Sequence, residues 1–260
     1  MYESIELCNV DISFKKGNSV VKNVTTKFNN NQITAIIGES GSGKSVLGMS
    51  LLNLLPEYAT IEGKAIYQNS NLYDLSNQEF QRKLGKEITW IPQNAKLSLN
   101  PMLNVRKQLE EILSYHDSKL TKNERMEIMK KALHDVGFSE PEKILKLRPS
   151  ELSGGMAQRV VMLFGLLTEP KWIIADEPTK GLDAVIRKQV FELLILIKEE
   201  RNPNMIIITH DLPLAYHFCD EILVMRQGEI IEKGTPEYIF FESTNAYTKK
   251  LVDSIPSRWN

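Results

Sequence analysis

Ile33-Thr34-Ala35-Ile36-Ile37 runs directly into Gly38-Glu39-Ser40-Gly41-Ser42-Gly43-Lys44-Ser45, and that into Val46-Leu47-Gly48-Met49-Ser50-Leu51-Leu52. The first five residues are almost wholly apolar, the pattern of a strand buried on both faces, as in a parallel sheet. The last stretch predicts a helix over 44–55, stopped by Pro56. Strand, glycine-rich loop and helix open a βαβ unit, so an α/β fold is expected. The loop fits G-x-x-x-x-G-K-[ST], in which Gly38, Gly41 and Gly43 let the backbone curl until its N–H groups converge on phosphate oxygens. Lys44 brings a point charge towards the β- and γ-phosphates, and the Ser45 hydroxyl is of the type that ligates Mg²⁺. Gly38, Ser40, Gly41, Ser42, Gly43, Lys44, Ser45 and Val46 are the expected phosphate contacts. The competing reading is a flexible Gly/Ser linker, which is not expected between a buried strand and an amphipathic helix.

Upstream, Ile5, Leu7, Val10, Ile12 and Phe14 alternate loosely, 15–18 reads as a turn, and 20–24 with 26–28 makes a second strand. These predict an antiparallel β layer. Downstream, 101–159 reads as helical, with helices over 105–115 and 123–136, the latter closed by Gly137. The alternation then resumes: strand 172–175, helix 186–200, strand 205–209, helix 212–218, and a β pair 222–225 and 229–231 about Gln227-Gly228. A small helix and tail close the chain. No internal repeat is present.

The 260 residues hold 32 Lys plus Arg and 33 Asp plus Glu, a formal net charge of -1. That balance argues against a long basic surface, so no nucleic-acid partner is expected. With 42% hydrophobic and 25% charged residues the chain has the composition of a globular protein with a sizeable core. No apolar run approaches the ~20 residues of a membrane helix, and the acidic N-terminal residues do not read as a secretory signal. Cys8 and Cys219 stand in no metal spacing and are expected as buried free thiols in a reducing compartment.

A second chemical feature is Trp172-Ile173-Ile174-Ala175-Asp176-Glu177-Pro178, an apolar strand ending in two carboxylates. Asp176 is suited to a Mg²⁺ shell and Glu177 to polarising an attacking water. Between loop and acidic pair lies Leu152-Ser153-Gly154-Gly155-Met156-Ala157-Gln158-Arg159. This segment resembles the signature of the ABC ATPases, and its order and distance from the loop and the acidic pair are similar to theirs. Gln93, after Trp90-Ile91-Pro92, resembles the family's Q-loop glutamine; Gly181-Leu182-Asp183 resembles the D-loop; His210 resembles the switch histidine; Phe14 resembles the aromatic that stacks on adenine. The resemblance covers essentially the whole chain.

It implies a P-loop NTPase of ABC ATPase fold: a RecA-like core with an antiparallel β subdomain and an inserted helical subdomain. One domain is expected over 1–260, with 1–93 and 161–260 as core and 94–160 as helical subdomain. The implied cofactors are ATP and Mg²⁺. Glu177, His210, Lys44 and Gln93 would be catalytic, Ser45, Gln93 and Asp176 metal-holding, and Phe14, Ser153, Gly154, Gly155 and Asp183 nucleotide contacts beside the loop. Residues 153–155 open a helix whose N–H groups face an anion, in the family the γ-phosphate held by a partner subunit. Each has a plainer reading: Ser153 and Asp183 as helix caps, Phe14 as core, His210 as a polar strand end.

Ser98-Leu99-Asn100-Pro101, Met156 and the tail Ala246-Tyr247-Thr248 through Leu251 to Ile255-Pro256 resemble the peptide and nickel importer branch. The resemblance therefore implies an importer ATPase at the cytoplasmic face of a prokaryotic membrane. A second ATPase subunit, two membrane-spanning permeases and an extracytoplasmic solute-binding protein would be its partners. Cysteine is absent after Cys219, against an iron–sulfur tail, and the chain's length leans towards nickel or metal-chelate import over oligopeptides. Thr179-Lys180-Gly181 departs from the usual T-T-A or T-S-A. The alternatives are a soluble ABC ATPase of DNA repair or translation, a subunit that binds ATP without hydrolysing it, and an exporter subunit.

Overall fold

Both faces of the strand Ile33–Ile37 are covered, since all five residues are buried. The chain is seen in a computed structural model that describes residues 4–14, 18–201 and 203–255, the side chains of 200 and 201 excepted. Most of the turn expected at 15–18, and Pro256, lie outside the described residues. In chain order come β1 (Ile5–Ser13), β2 (Ser19–Phe28), β3 (Ile33–Ile37), α1 (Lys44–Ser50), β4 (Thr60–Tyr67), β5 (Ser70–Asn71) and α2 (Asn77–Lys83). Next are β6 (Ile88–Ile91), α3 (Ala95–Ser98), α4 (Val105–His116), α5 (Lys122–Asp135), α6 (Pro141–Lys146) and α7 (Gly154–Leu166). Last are β7 (Trp172–Asp176), α8 (Ala184–Arg201), β8 (Asn204–Ile208), α9 (Leu212–Phe218), β9 (Glu221–Arg226), β10 (Glu229–Gly234) and α10 (Ala246–Asp253). Two compact units result: Met1–Leu84, Ile174–Glu177 and Pro203–Asn260 form the first, Gly85–Ile173 and Pro178–Asn202 the second.

The first unit holds two β layers. One is antiparallel, in the order β2-β1-β4-β5. In the other, β3 runs parallel to β8, with Ile33 opposite Met205, and parallel to β9, with Thr34 opposite Glu221. β10 pairs antiparallel with β9 at its edge. The buried Ile, Val and Leu side chains of β3, β8 and β9 each contribute about 1.5–3 kcal/mol by leaving water.

The loose alternation of β1 has a structural cause. Ile5 and Leu7 are buried, and so are Val10 and Ile12, so the inward phase shifts by one residue between them. The shift falls at Asn9, which takes φ +48 in a β-bulge and donates its N–H to the Thr25 hydroxyl at 2.9 Å. The bulge leaves Cys8 exposed, which corrects the expectation of a buried thiol; Cys219 is buried. Opposite the bulge, Gly63 adopts φ +89, and a Cβ there would lie 2.3 Å from the Asn9 carbonyl oxygen. α1 is shorter than its periodicity predicts. Asn53 turns left-handed at φ +50 and the Leu54 N–H donates back to the Met49 carbonyl at 3.1 Å, closing the helix before Leu55.

In the second unit α4 and α5 start at side-chain caps. Asn104 accepts from the Lys107 N–H at 2.9 Å to begin α4. Thr121 and Glu124 make a reciprocal capping box for α5. β6 lies beside the first residues of β7, where the Trp172 N–H donates to the Glu87 carbonyl at 2.8 Å. α7 crosses β6 closely: a Cβ on Gly165 would be 2.8 Å from Ile91 Cγ1. Among the described residues no helix is long and apolar enough to cross a membrane.

Gly63→Ala should cost about 2–4 kcal/mol, since it adds left-handed strain to a backbone clash. Denaturant unfolding measures it; a loss below about 0.5 kcal/mol would show that the bulge yields freely.

Candidate functional site

The strands β3 and β8 are parallel, so both deliver the chain to one edge of the sheet. From β3 the backbone enters the loop at Gly38, which stands so close to the end of β9 that a Cβ would lie 2.1 Å from the Met225 carbonyl oxygen. Gly43, at φ +103, has the Val20 carbonyl oxygen 2.7 Å from where its Cβ would be. The loop is thus wedged between β2 and β9, and only glycine fits at either shoulder. Its crest, Glu39 to Gly41, is exposed, while Ser42 to Lys44 are buried. The Gly228 N–H donates to the Ser42 carbonyl at 3.0 Å, tying the β9–β10 turn to the loop. The Lys44 ammonium, 6% exposed, donates to the carbonyls of Gly38 and Glu39, both at 2.8 Å, and to the Ser42 hydroxyl at 3.3 Å.

Three predicted residues meet at the ends of β7 and β8, and one of them reaches α1. The Ser45 hydroxyl donates to Asp176 Oδ1 at 2.9 Å, bringing two hard oxygen donors together, the type that suits Mg²⁺. Glu177 follows, buried at 8% exposure and held left-handed at φ +49, a strained conformation for a glutamate. Its N–H donates to the Ile208 carbonyl at 2.7 Å, which pins the strained peptide to β8. Glu177 Oε2 lies 2.5 Å from His210 Nδ1 and accepts from the His210 N–H at 3.3 Å. The next residue, Asp211, caps α9 through the Leu214 N–H at 3.2 Å, fixing where His210 leaves the strand.

The second unit carries the signature segment. Ser153 caps α7 by accepting from the Met156 N–H at 3.2 Å, and the helix opens with the exposed Gly154. Gly155 is buried, with Ile186 Cγ2 2.6 Å from where a Cβ would lie. Downstream, Arg159 sits over the Phe138 ring at 4.4 Å and donates to the Gly137 carbonyl at 3.1 Å. Its partial burial lowers its pKa from the usual arginine value.

Residues 21–180 match the family described as ABC transporter. The chain belongs to the ABC transporter family. It carries that family's ATPase cassette. It is 37% identical over 257 residues to the dipeptide transport ATP-binding protein DppD of Lactococcus lactis, covering 97% of this chain and 74% of that protein. It is 37% identical to the oligopeptide transport ATP-binding protein OppD of Haemophilus influenzae, covering 97% and 79%. It is 38% identical to the peptidoglycan transport ATP-binding protein YejF of Agrobacterium fabrum, covering 95% of this chain but spanning only 46% of that protein. A dimeric post-hydrolysis structure of the ATP-binding cassette MJ0796, bound to ADP and phosphate, superposes with TM-score 0.79 at 26% identity, covering 89% of this chain and 98% of that one.

Phe14 is half-buried, not core, and its ring lies 6.1 Å from that of the exposed Tyr58. Ser13 beside it pairs with Ser19, one residue before the Val20 that abuts Gly43, so Phe14 lies on the loop's own side of the first unit. Gln93 is exposed, two residues beyond β6. Asp183 accepts from the Ile186 N–H at 2.9 Å, the geometry of a helix cap. One residue that touches the loop was missed as a site residue: Tyr247, from α10, accepts the Glu39 N–H at 3.0 Å. It belongs to the tail segment, and its distance along the chain from Glu39 leaves no local signal of the contact.

Gly43→Ala should weaken ATP binding at least roughly 10-fold, because the loop must shift to relieve strain of about 1–3 kcal/mol. Calorimetric titration of the variant checks this; unchanged affinity would mean the loop's curvature does not depend on that glycine.

Proposed function

We propose that this cassette hydrolyses MgATP as the energising subunit of a peptide importer. The observation that carries the hydrolytic part is the chain of contacts Ser45–Asp176 and Glu177–His210 at the ends of adjoining strands. Loop N–H groups bind the phosphates, and Lys44 exchanges its hold on two carbonyls for the β- and γ-phosphate oxygens. Ser45 and Asp176 would hold Mg²⁺ through their side-chain oxygens, and the ion would supply positive charge against the phosphates. With Oε2 engaged by His210, Glu177 uses Oε1 to orient a water in line with the γ-phosphorus and to take its proton. His210 turns its other ring nitrogen to the γ-phosphate. Burial of Asp176 and Glu177 keeps these interactions in a low dielectric, where oriented charges count for more than in water.

The parts assigned to Gln93, Asp183 and residues 153–155 rest on the resemblance of their motifs. In this reading α7 presents its first N–H groups to the γ-phosphate held by a second cassette, and Phe14 stacks on adenine. Two cassettes closing on two nucleotides would favour one of two states, with ATP binding the closed state better. Two membrane-spanning permease subunits and an extracytoplasmic solute-binding protein complete the assembly, with the cassettes at the cytoplasmic face of the membrane. Relatives named for dipeptide and oligopeptide transport favour peptides over nickel as the solute.

Glu177→Gln should lower kcat roughly 100-fold or more while leaving MgATP affinity within about 2-fold, as loss of a general base predicts. ATPase rates of the assembled complex test it, and a wild-type rate would remove Glu177 from the chemistry. Asp176→Asn should raise the Mg²⁺ concentration needed for half-maximal ATP binding roughly 10- to 100-fold. A magnesium titration in which the two proteins coincide would contradict the metal assignment.

A further inference from the structure

We propose that Tyr247 is a positioning residue for the phosphate loop, setting the peptide against which Lys44 is held. This rests on the reading of the loop as the nucleotide site. The Gly38 carbonyl and the Glu39 N–H belong to one peptide unit. Its carbonyl oxygen accepts from Lys44 Nζ at 2.8 Å, and its N–H donates to Tyr247 Oη at 3.0 Å. The two side chains therefore grip opposite ends of one peptide dipole. Each bond polarises the other in the same sense, and the tilt of that plane decides where the Gly38 oxygen holds the ammonium.

Tyr247 is itself held from two sides. Its ring is 7% exposed, with the Arg226 guanidinium 4.7 Å from its centroid. The next residue, Thr248, is fully buried and donates its hydroxyl to Glu232 on β10, as does the Ser243 hydroxyl at 2.8 Å. α10 begins where Asn245 caps it through the Tyr247 N–H at 2.9 Å. Successive residues of one helix turn thus do two jobs: Thr248 fastens the helix to β10 and Tyr247 carries that anchorage to the loop. The same hairpin touches the loop again at Gly38 and Ser42. Coupling of this kind is reciprocal, so phosphates that draw Lys44 forward should also change the protection of α10.

The test uses Tyr247→Phe in the full chain, which keeps the ring under Arg226 and removes only the hydroxyl that accepts from Glu39. MgATP and AMP are titrated by calorimetry, and exchange of the Glu39 amide and of the α10 amides is followed by NMR. Loss of one such bond should weaken MgATP binding roughly 3- to 10-fold. AMP, which lacks the phosphates Lys44 reaches, should bind as to wild type. The Glu39 amide should exchange faster in the variant, and MgATP should alter α10 exchange in wild type but not in the variant. Equal MgATP affinity in the two proteins would overturn the proposal. Equal losses for MgATP and AMP would also overturn it, by showing a general structural effect. Failure of wild type itself to bind MgATP would instead bring down the nucleotide reading, and this proposal with it.

Discussion

The close approach of Gly38 to the Met225 carbonyl is the constraint on which the site depends. At that point β3 leaves the sheet with β9 2.1 Å from where any side chain would begin, so the backbone must turn over the strand ends. The turn carries Lys44 back over its own loop and sets Ser45 at the start of α1, within 2.9 Å of Asp176. The buried β3 supplies the rigidity, with all five residues packed and parallel neighbours on both sides. A loop of small residues would otherwise be the least ordered part of the molecule. Here three carbonyl contacts of the strand ends and hairpin shape it, and in the proposed reading less ordering entropy would then oppose phosphate binding.

The acidic end of β7 shows the same economy in another form. Glu177 adopts a left-handed conformation that L residues avoid, and the structure holds it there with its own N–H on Ile208 and its carboxylate on His210. Strain of about 1–3 kcal/mol at a buried acid is tolerated where neighbouring contacts outweigh it. What it achieves is direction: the carboxylate leaves the strand towards His210, while Asp176, one residue earlier, faces Ser45. Two adjacent acids thereby face different partners.

Much of this was legible in the sequence, for physical reasons that differ from segment to segment. β3, the loop and the acidic pair are local patterns in which residue type and spacing determine conformation, and they stand where expected. The loose rhythm of β1 could be seen but not explained, because the phase shift at Asn9 depends on β2 and on Gly63 across the sheet. The same hidden shift put Cys8 on the outside. α1 ended early because Asn53, an ordinary polar residue in sequence, takes the left-handed position of a terminating residue. Between Pro56 and Trp90 no periodicity stands out, although Ser76 with Glu79 is a capping box that marks α2. β4 is buried mainly at Ala65 and Tyr67, too little for a pattern to show. Tyr247 touches the loop across more than two hundred residues, a contact that only the folded sheet creates.

The most direct test of the account is a crystal structure of the cassette with Mg²⁺ and a non-hydrolysable ATP analogue. The expected result has the phosphates cradled by the N–H groups of residues 41–45, with Lys44 drawn off the Gly38 and Glu39 carbonyls onto the β- and γ-oxygens. Ser45 and Asp176 would flank the metal, and Glu177 would lie within one water of the γ-phosphorus. A nucleotide bound elsewhere, or one bound with Lys44 still on both carbonyls, would contradict it.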